Sequence, residues 1–184
     1  MFILRIVPVA LALGSALTAC QSVQQTAATA TATKVACPAG VTDQLDGLYQ
    51  WQVQRMEQRS DPVEDLSSQR QRFTPSLFEL LLKATSLTSR HDGRYLDFDV
   101  FSNTQAQTFG AVVTGCSEAQ GNRIEADVDV KFGLVGRASD TPRQLRYEML
   151  RDNNGRWRIN NITYLDEPIE ELRPLLKKLL NPSS

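Results

Sequence analysis

The chain has 184 residues, 22% of them charged and 41% hydrophobic, with a formal net charge of −1. No basic excess and no run of cations interleaved with aromatics is present, which argues against nucleic acid as a partner. One histidine, and three cysteines without C-x-x-C spacing, make a weak case for a metal centre, and no motif calls for a cofactor.

The first stretch, "MFILRIVPVALALGSALTA" (1–19), has one charge, Arg5, ahead of an uncharged run. The run is too short for a bilayer-spanning helix, which needs about 20 apolar residues. It fits the apolar region of a secretory signal peptide, removed from the mature chain. The next residue is Cys20, and "LTAC" resembles the bacterial lipobox. That resemblance implies cleavage before Cys20, a lipid on its sulfur, and a membrane partner through that anchor. Gln21 rather than Asp follows the cysteine, which points to an outer-membrane lipoprotein facing the periplasm of a diderm envelope. Loss of Arg5 with the leader changes the formal charge from −1 to −2. The competing reading of 1–19 is a buried helix with an incidental cysteine.

Cys20 and the segment after it make up 20–36; residues 21–36, "QSVQQTAATATATKVA", hold one charge and no aromatic. This segment cannot bury enough apolar surface to offset its ordering entropy, so it reads as a flexible tether spanning roughly 20–25 Å. The folded domain is expected over 37–184. Cys37 opens it and Cys116 ends an apolar run. In an oxidising compartment these two allow one intrachain disulfide; two free thiols or a metal site are the alternatives.

Helical spacing predicts a first helix over 41–59, on Val41, Leu45, Leu48, Gln52 and Met56, with Thr42 as its N-cap. "SDPVED" interrupts it. A second helix is expected in "FTPSLFELLLKATSLTSR", with Thr74 as N-cap and Pro75 at the first position. The period then changes to two. Strands are expected over 108–116, 123–132, 144–150 and 156–163. Ile124, Ala126, Val128, Val130 and Phe132 point inward, as do Leu145, Tyr147, Met149, Trp157 and Ile159. The acidic row Glu125, Asp127 and Asp129 faces out, toward arginines of a neighbouring strand or a basic partner.

Cross-strand pairing predicts a hairpin loop of residues 152–154, which sets Met149 opposite Trp157, Tyr147 opposite Ile159 and Glu148 opposite Arg158. The end, "DEPIEELRPLLKKLL", reads as a helix capped by Asp166, with Ile169, Leu172, Leu176 and Leu179 on its apolar stripe and a kink at Pro174. Helices followed by antiparallel strands define an α+β fold: a curved sheet of about four strands packed on N-terminal helices, plus a C-terminal helix.

Three stretches carry a family resemblance: "RFTPSLFELL" (72–81), "RYLDFDVF" (94–101) and "GRWRINNITY" (155–164). Together the chain resembles the bacterial lipoprotein family known as domain of unknown function 3828, over most of residues 45–165. Members of that family often carry Pro after the second Asp, where Val100 stands here. The resemblance implies a cone-shaped, nuclear transport factor 2-like (cystatin-like) fold and no particular activity.

Chemistry-bearing residues are few. Asp97 and Asp99, two apart, would share one face of a strand as an acid/base pair or a cation site, or would both face water beside inward Leu96, Phe98 and Val100. His91 sits in a polar loop. Tyr147, Asn161 and Tyr164 are polar groups on inward positions that would orient a ligand in a pocket between sheet and helices, or would be core groups satisfied by the backbone. No catalytic set emerges. The expected function is a non-enzymatic envelope lipoprotein that binds an envelope protein or a small ligand. The alternatives are an inhibitor or immunity protein against a cell-wall-directed enzyme, and an isomerase- or hydrolase-type enzyme with a pocket in the cone.

Overall fold

Val41, Leu45, Leu48, Tyr49 and Gln52 recur at helical spacing and form the buried stripe of α1 (Ala39–Gln58). The computed structural model describes residues 35–58, 62–87, 95–118 and 121–181. The expected leader, Cys20, most of the tether and His91 lie outside the described residues. α1 begins before Thr42: the carbonyl of Pro38 accepts the amides of Val41 and Thr42. Thr42 is therefore inside the first turn and is not the N-cap. Pro38 stands at the start because its missing amide leaves nothing unpaired there.

The "SDPVED" stretch runs into a short helix, α2 (Pro62–Ser68), with Pro62 at the first helical position. A 3-10 turn at Arg70–Arg72 leads to α3 (Pro75–Thr85). Thr74 holds the N-cap position, but its hydroxyl makes no capping bond. It donates instead to Asn160 Oδ1 at 3.1 Å and accepts from Arg173 Nη2 at 3.1 Å, which ties the helix start to the sheet.

The strands are β1 (Gln107–Glu118), β2 (Arg123–Leu134), β3 (Arg137–Ala138), β4 (Arg143–Arg151), β5 (Trp157–Tyr164) and β6 (Glu170–Glu171). They form one antiparallel sheet in the order β1-β2-β4-β5-β6, with β3 on the end of β2. The four long strands match the expected number, and two two-residue strands extend the sheet. Ile124, Ala126, Val128 and Val130 of β2 and Leu145, Tyr147 and Met149 of β4 are buried. They meet across the strands: Ala126 opposite Tyr147, Val128 opposite Leu145. With the inner faces of α1, α3 and the C-terminal helix they make one core. On the outer face Arg146 binds Asp127 at 2.7 Å, and Arg123 binds Glu125 at 3.1 Å and Glu148 at 3.4 Å. Glu125 and Asp127 of the acidic row thus meet arginines of their own sheet, while Asp129 stands opposite Gln144.

The β4–β5 register departs from the expectation. Met149 faces Ile159, Leu150 faces Arg158 and Arg151 faces Trp157. The loop is residues 153–155, one step later than predicted. Gly155, at φ 77°, supplies the left-handed position that closes a three-residue loop. Asp152 organises the rest: its Oδ1 accepts the amides of Asn154 and Arg156, both at 2.9 Å. A bulge then follows beyond Met149 and Ile159, so Tyr147 faces Ile162 and Leu145 faces Tyr164.

The C-terminal reading is also corrected. Residues 166–169 are irregular, β6 pairs with β5, and α4 (Leu172–Leu180) starts only there. Asp166 pairs with Arg143 at 3.3 Å rather than capping a helix, and Ile169 is 61% exposed. Pro174 falls in the first turn, where an amide has no intrahelical acceptor, so it removes no bond and makes no kink. Leu172 and Leu176 carry the buried stripe.

Cys37 and Cys116 form a disulfide across a sequence separation of 79. Beside it Val35 exchanges backbone bonds with Cys116, at 2.7 and 3.1 Å. Replacing both cysteines by serine is expected to lower stability by about 4 kcal/mol through the closed-loop entropy, read as a lower guanidinium midpoint. At the β2–β3 turn, Val135 (φ 54°) and Gly136 (φ 73°) are both left-handed, and Val135 is wholly exposed. A β-branched residue is strained there. Val135→Asn should raise stability by about 1 kcal/mol, seen as a higher melting temperature.

Candidate functional site

One face of α1 places Tyr49, Gln52 and Arg55 in a row, three residues apart, continuing the stripe of Leu45 and Leu48. Across from it runs "DFDVFSNT" (97–104), which is a turn and not a strand. The Asp99 amide donates to Thr104 O at 2.9 Å, and the Asn103 amide donates to Asp99 O at 2.8 Å. Asn103 takes the left-handed conformation, φ 51°, which Asn tolerates better than most residues. The Asp99 carboxylate accepts the Phe101 amide at 2.9 Å through Oδ1 and binds the Arg55 guanidinium through Oδ2. That ion pair is largely buried, with side-chain exposures of 14% and 9%. Arg55 is further fixed by Gln52 Oε1 at 2.8 Å and lies 5.0 Å from the Trp51 ring centre.

The turn separates the two aspartates. Asp97 is exposed and Asp99 is drawn inward, so they do not share a face and do not act as a pair. Alternation misled because a turn of this kind has no period of two.

The same turn aims two carbonyls into the core. Phe101 O accepts the Tyr49 hydroxyl at 2.9 Å, and Val100 O accepts the Tyr164 hydroxyl at 3.1 Å. Tyr49 and Tyr147 hydroxyls are 2.7 Å apart. A carbonyl cannot donate, so the Tyr49 proton goes to Phe101 O and Tyr147 donates to Tyr49. Burial first, and the neighbouring hydroxyls and Asp99 next, push Tyr147 and Tyr164 well above the ordinary phenol range. Tyr49 is raised as well, chiefly by burial. Tyr147 and Tyr164 are therefore core residues with satisfied hydroxyls. Asn161 is buried in the middle of β5: its Nδ2 donates to Glu171 at 2.8 Å, and its Oδ1 accepts the Arg173 amide at 3.1 Å, holding the start of α4. None of these three lines the clefts beside the turn or at the β4–β5 hairpin.

What opens beside the turn is a cleft of about 570 Å³. Trp51, Met56, Leu66, Leu81, Leu96 and Phe98 supply its apolar wall, and Arg55, Asp97, Asp99 and Thr104 its polar one. A second groove of about 360 Å³ shares 95–98 with it and reaches Leu175, Lys178 and Leu179 of α4. Asp97 and Asp99 were legible as candidates; Trp51, Arg55 and Tyr49 were not singled out as a site. Their signal was a Tyr, a Gln and an Arg on the continuation of an apolar stripe.

No protein-family model matches the chain, and no curated protein and no solved structure matches it either. The tyrosine cluster makes a pH prediction. The three buried hydroxyls keep their protons in the fold and lose them in the unfolded chain above about pH 10. Stability from this source is complete below that pH and falls as pH rises beyond it. Tyr147→Phe should flatten that decline and cost about 1 kcal/mol at neutral pH, measured by urea midpoints across pH 8–11.

Proposed function

We propose that this chain is an envelope-anchored, non-enzymatic binding module of the nuclear transport factor 2-like kind, tethered through a lipid on Cys20. Its ligand is a small molecule with an apolar body and a hydrogen-bonding head, seated in the cleft beside the turn at 97–104. The α+β order of the described elements and the antiparallel sheet on its helices support the cone reading. The observation that carries the functional reading is the state of the polar groups. Asp99 is paired with Arg55, and the buried hydroxyls of Tyr49, Tyr147 and Tyr164 each have an acceptor. The rest of the wall is mainly aromatic and aliphatic, with Asp97 and Thr104 as polar groups. Such a surface suits a ligand with an apolar body, whose head the few polar groups would orient.

The test uses the native lipidated chain, purified from its envelope in detergent and read by native mass spectrometry. A bound small molecule is expected, reduced at least about tenfold in a Tyr95→Ala, Leu96→Ser variant that keeps the parent circular dichroism. Cys20→Ala should move the chain out of the detergent phase. A stoichiometric protein with no small molecule would replace the ligand reading by the inhibitor or immunity one. Equal occupancy in the variant would remove the cleft from the account.

A further inference from the structure

A further cleft, of different chemistry, lies at the β4–β5 hairpin end of the sheet. It measures about 660 Å³ and shares no lining residue with the aromatic one. Its walls are the segment around the 3-10 turn, the β4–β5 hairpin and Asn122 between β1 and β2. Four guanidinium groups line it, those of Arg70, Arg151, Arg156 and Arg158. Among the described residues on its wall Asp152 is the one carboxylate, so three positive charges stand unbalanced. In a chain whose overall formal charge is −1, this is a local concentration of cations and not a general surplus.

The arginines are held in place. Arg158 is 15% exposed; its Nε donates to Asp152 Oδ2 at 3.0 Å and its Nη1 binds the Gln71 carbonyl. Arg151 spends its Nε on Gly155 O at 3.0 Å and lies 6.0 Å from the Trp157 ring centre. Arg70 lies 5.4 Å from the Phe78 ring centre. Arg156, 60% exposed, touches Asp152 through Nε at 3.5 Å. The Nη groups of Arg151 and Arg156 are therefore left over, on planar forks whose stems are anchored. The Asp152 carboxyl is held below its usual range, first by the Arg156 amide and further by Arg158 and the Asn154 amide. It stays charged and spends itself on the hairpin backbone and two arginines, so it does not neutralise the cleft. Thr74 and Pro75 also bring the uncapped start of α3 to the same wall, which adds favourable polarity for an anion.

We propose that this cleft is a binding site for a phosphate monoester or diphosphate group. Guanidinium forks match phosphate oxygens bidentately, and several anchored forks around one concave surface suit a ligand that carries two negative charges. Two sources present that chemistry, a soluble phosphate compound and a lipid headgroup.

The test is calorimetric titration of the full chain in detergent with inorganic pyrophosphate, with sodium sulfate as the competing anion. One site per chain is expected, with pyrophosphate preferred over sulfate. Arg151→Ala with Arg156→Ala should weaken it by at least about tenfold. Arg156→Lys, which keeps the charge and removes the fork, should give an intermediate loss. Near-ultraviolet circular dichroism confirms that each variant is folded. Dihexanoyl phosphatidic acid separates the sources: displacement of pyrophosphate at lower concentration assigns the cleft to a lipid headgroup, and weaker displacement assigns it to a soluble phosphate. No heat, equal affinity for sulfate, or unchanged binding in the double variant would overturn the proposal.

Discussion

The carboxylate of Asp99 is the point on which this end of the molecule turns. One oxygen holds Arg55 on α1, and the other holds the Phe101 amide. Its own backbone closes the turn against Thr104 and Asn103. That geometry sends the carbonyls of Val100 and Phe101 inward, where they receive hydroxyls from β5 and α1. A buried phenol without an acceptor costs a few kcal/mol, so the three core tyrosines depend on a turn that none of them adjoins in sequence. The aromatic contacts follow: Phe98 packs edge-on against Tyr164 at 6.0 Å, and Phe101 meets Trp51 at 5.8 Å and Phe73 at 5.9 Å.

What could be read in the sequence was whatever local periodicity expresses. β4, and β2 as far as Val130, alternate because each has one buried face, and their inward residues there were identified one by one; Phe132, expected inward, is only half-buried, and the neighbouring Gly133 is buried instead. Failures cluster where a single residue changes the count. Gly155 shifts the hairpin by one step, and the bulge in β5 then reverses which of its residues face the core. Pro174 looks like a break only if the helix begins at Asp166; starting at Leu172 makes the same proline harmless. Tyr147 and Tyr164 were legible as inward tyrosines, yet their partners were not. Tyr49 lies 98 residues from Tyr147 and Phe101 lies 52 from Tyr49, and no spacing rule spans such distances. The two aspartates in "YLDFDVF" were noticed for their charge, while their separation into one exposed and one buried group came from an Asx-type turn.

The two clefts show how little the sheet itself decides. One end presents rings and methylenes around a neutralised ion pair; the other presents cations on rigid forks. The first is lined by helices and the 95–106 segment and the second by the β4–β5 hairpin and its neighbours, places a sheet leaves free to vary while its interior stays packed. The arginines of the β4–β5 hairpin and the aromatics of α1 are thus separable in their effects, since neither set touches the other's wall.

The disulfide at Cys37 has a mechanical meaning as well. The chain ahead of the domain is clasped by the Val35–Cys116 backbone pair and, two residues on, covalently fastened to the same point of β1. Tension applied through that leading segment is therefore handed to the sheet before it reaches the first turn of α1. The helix carrying Tyr49, Trp51 and Arg55 would stay seated under such a load, and the cleft it lines would keep its shape.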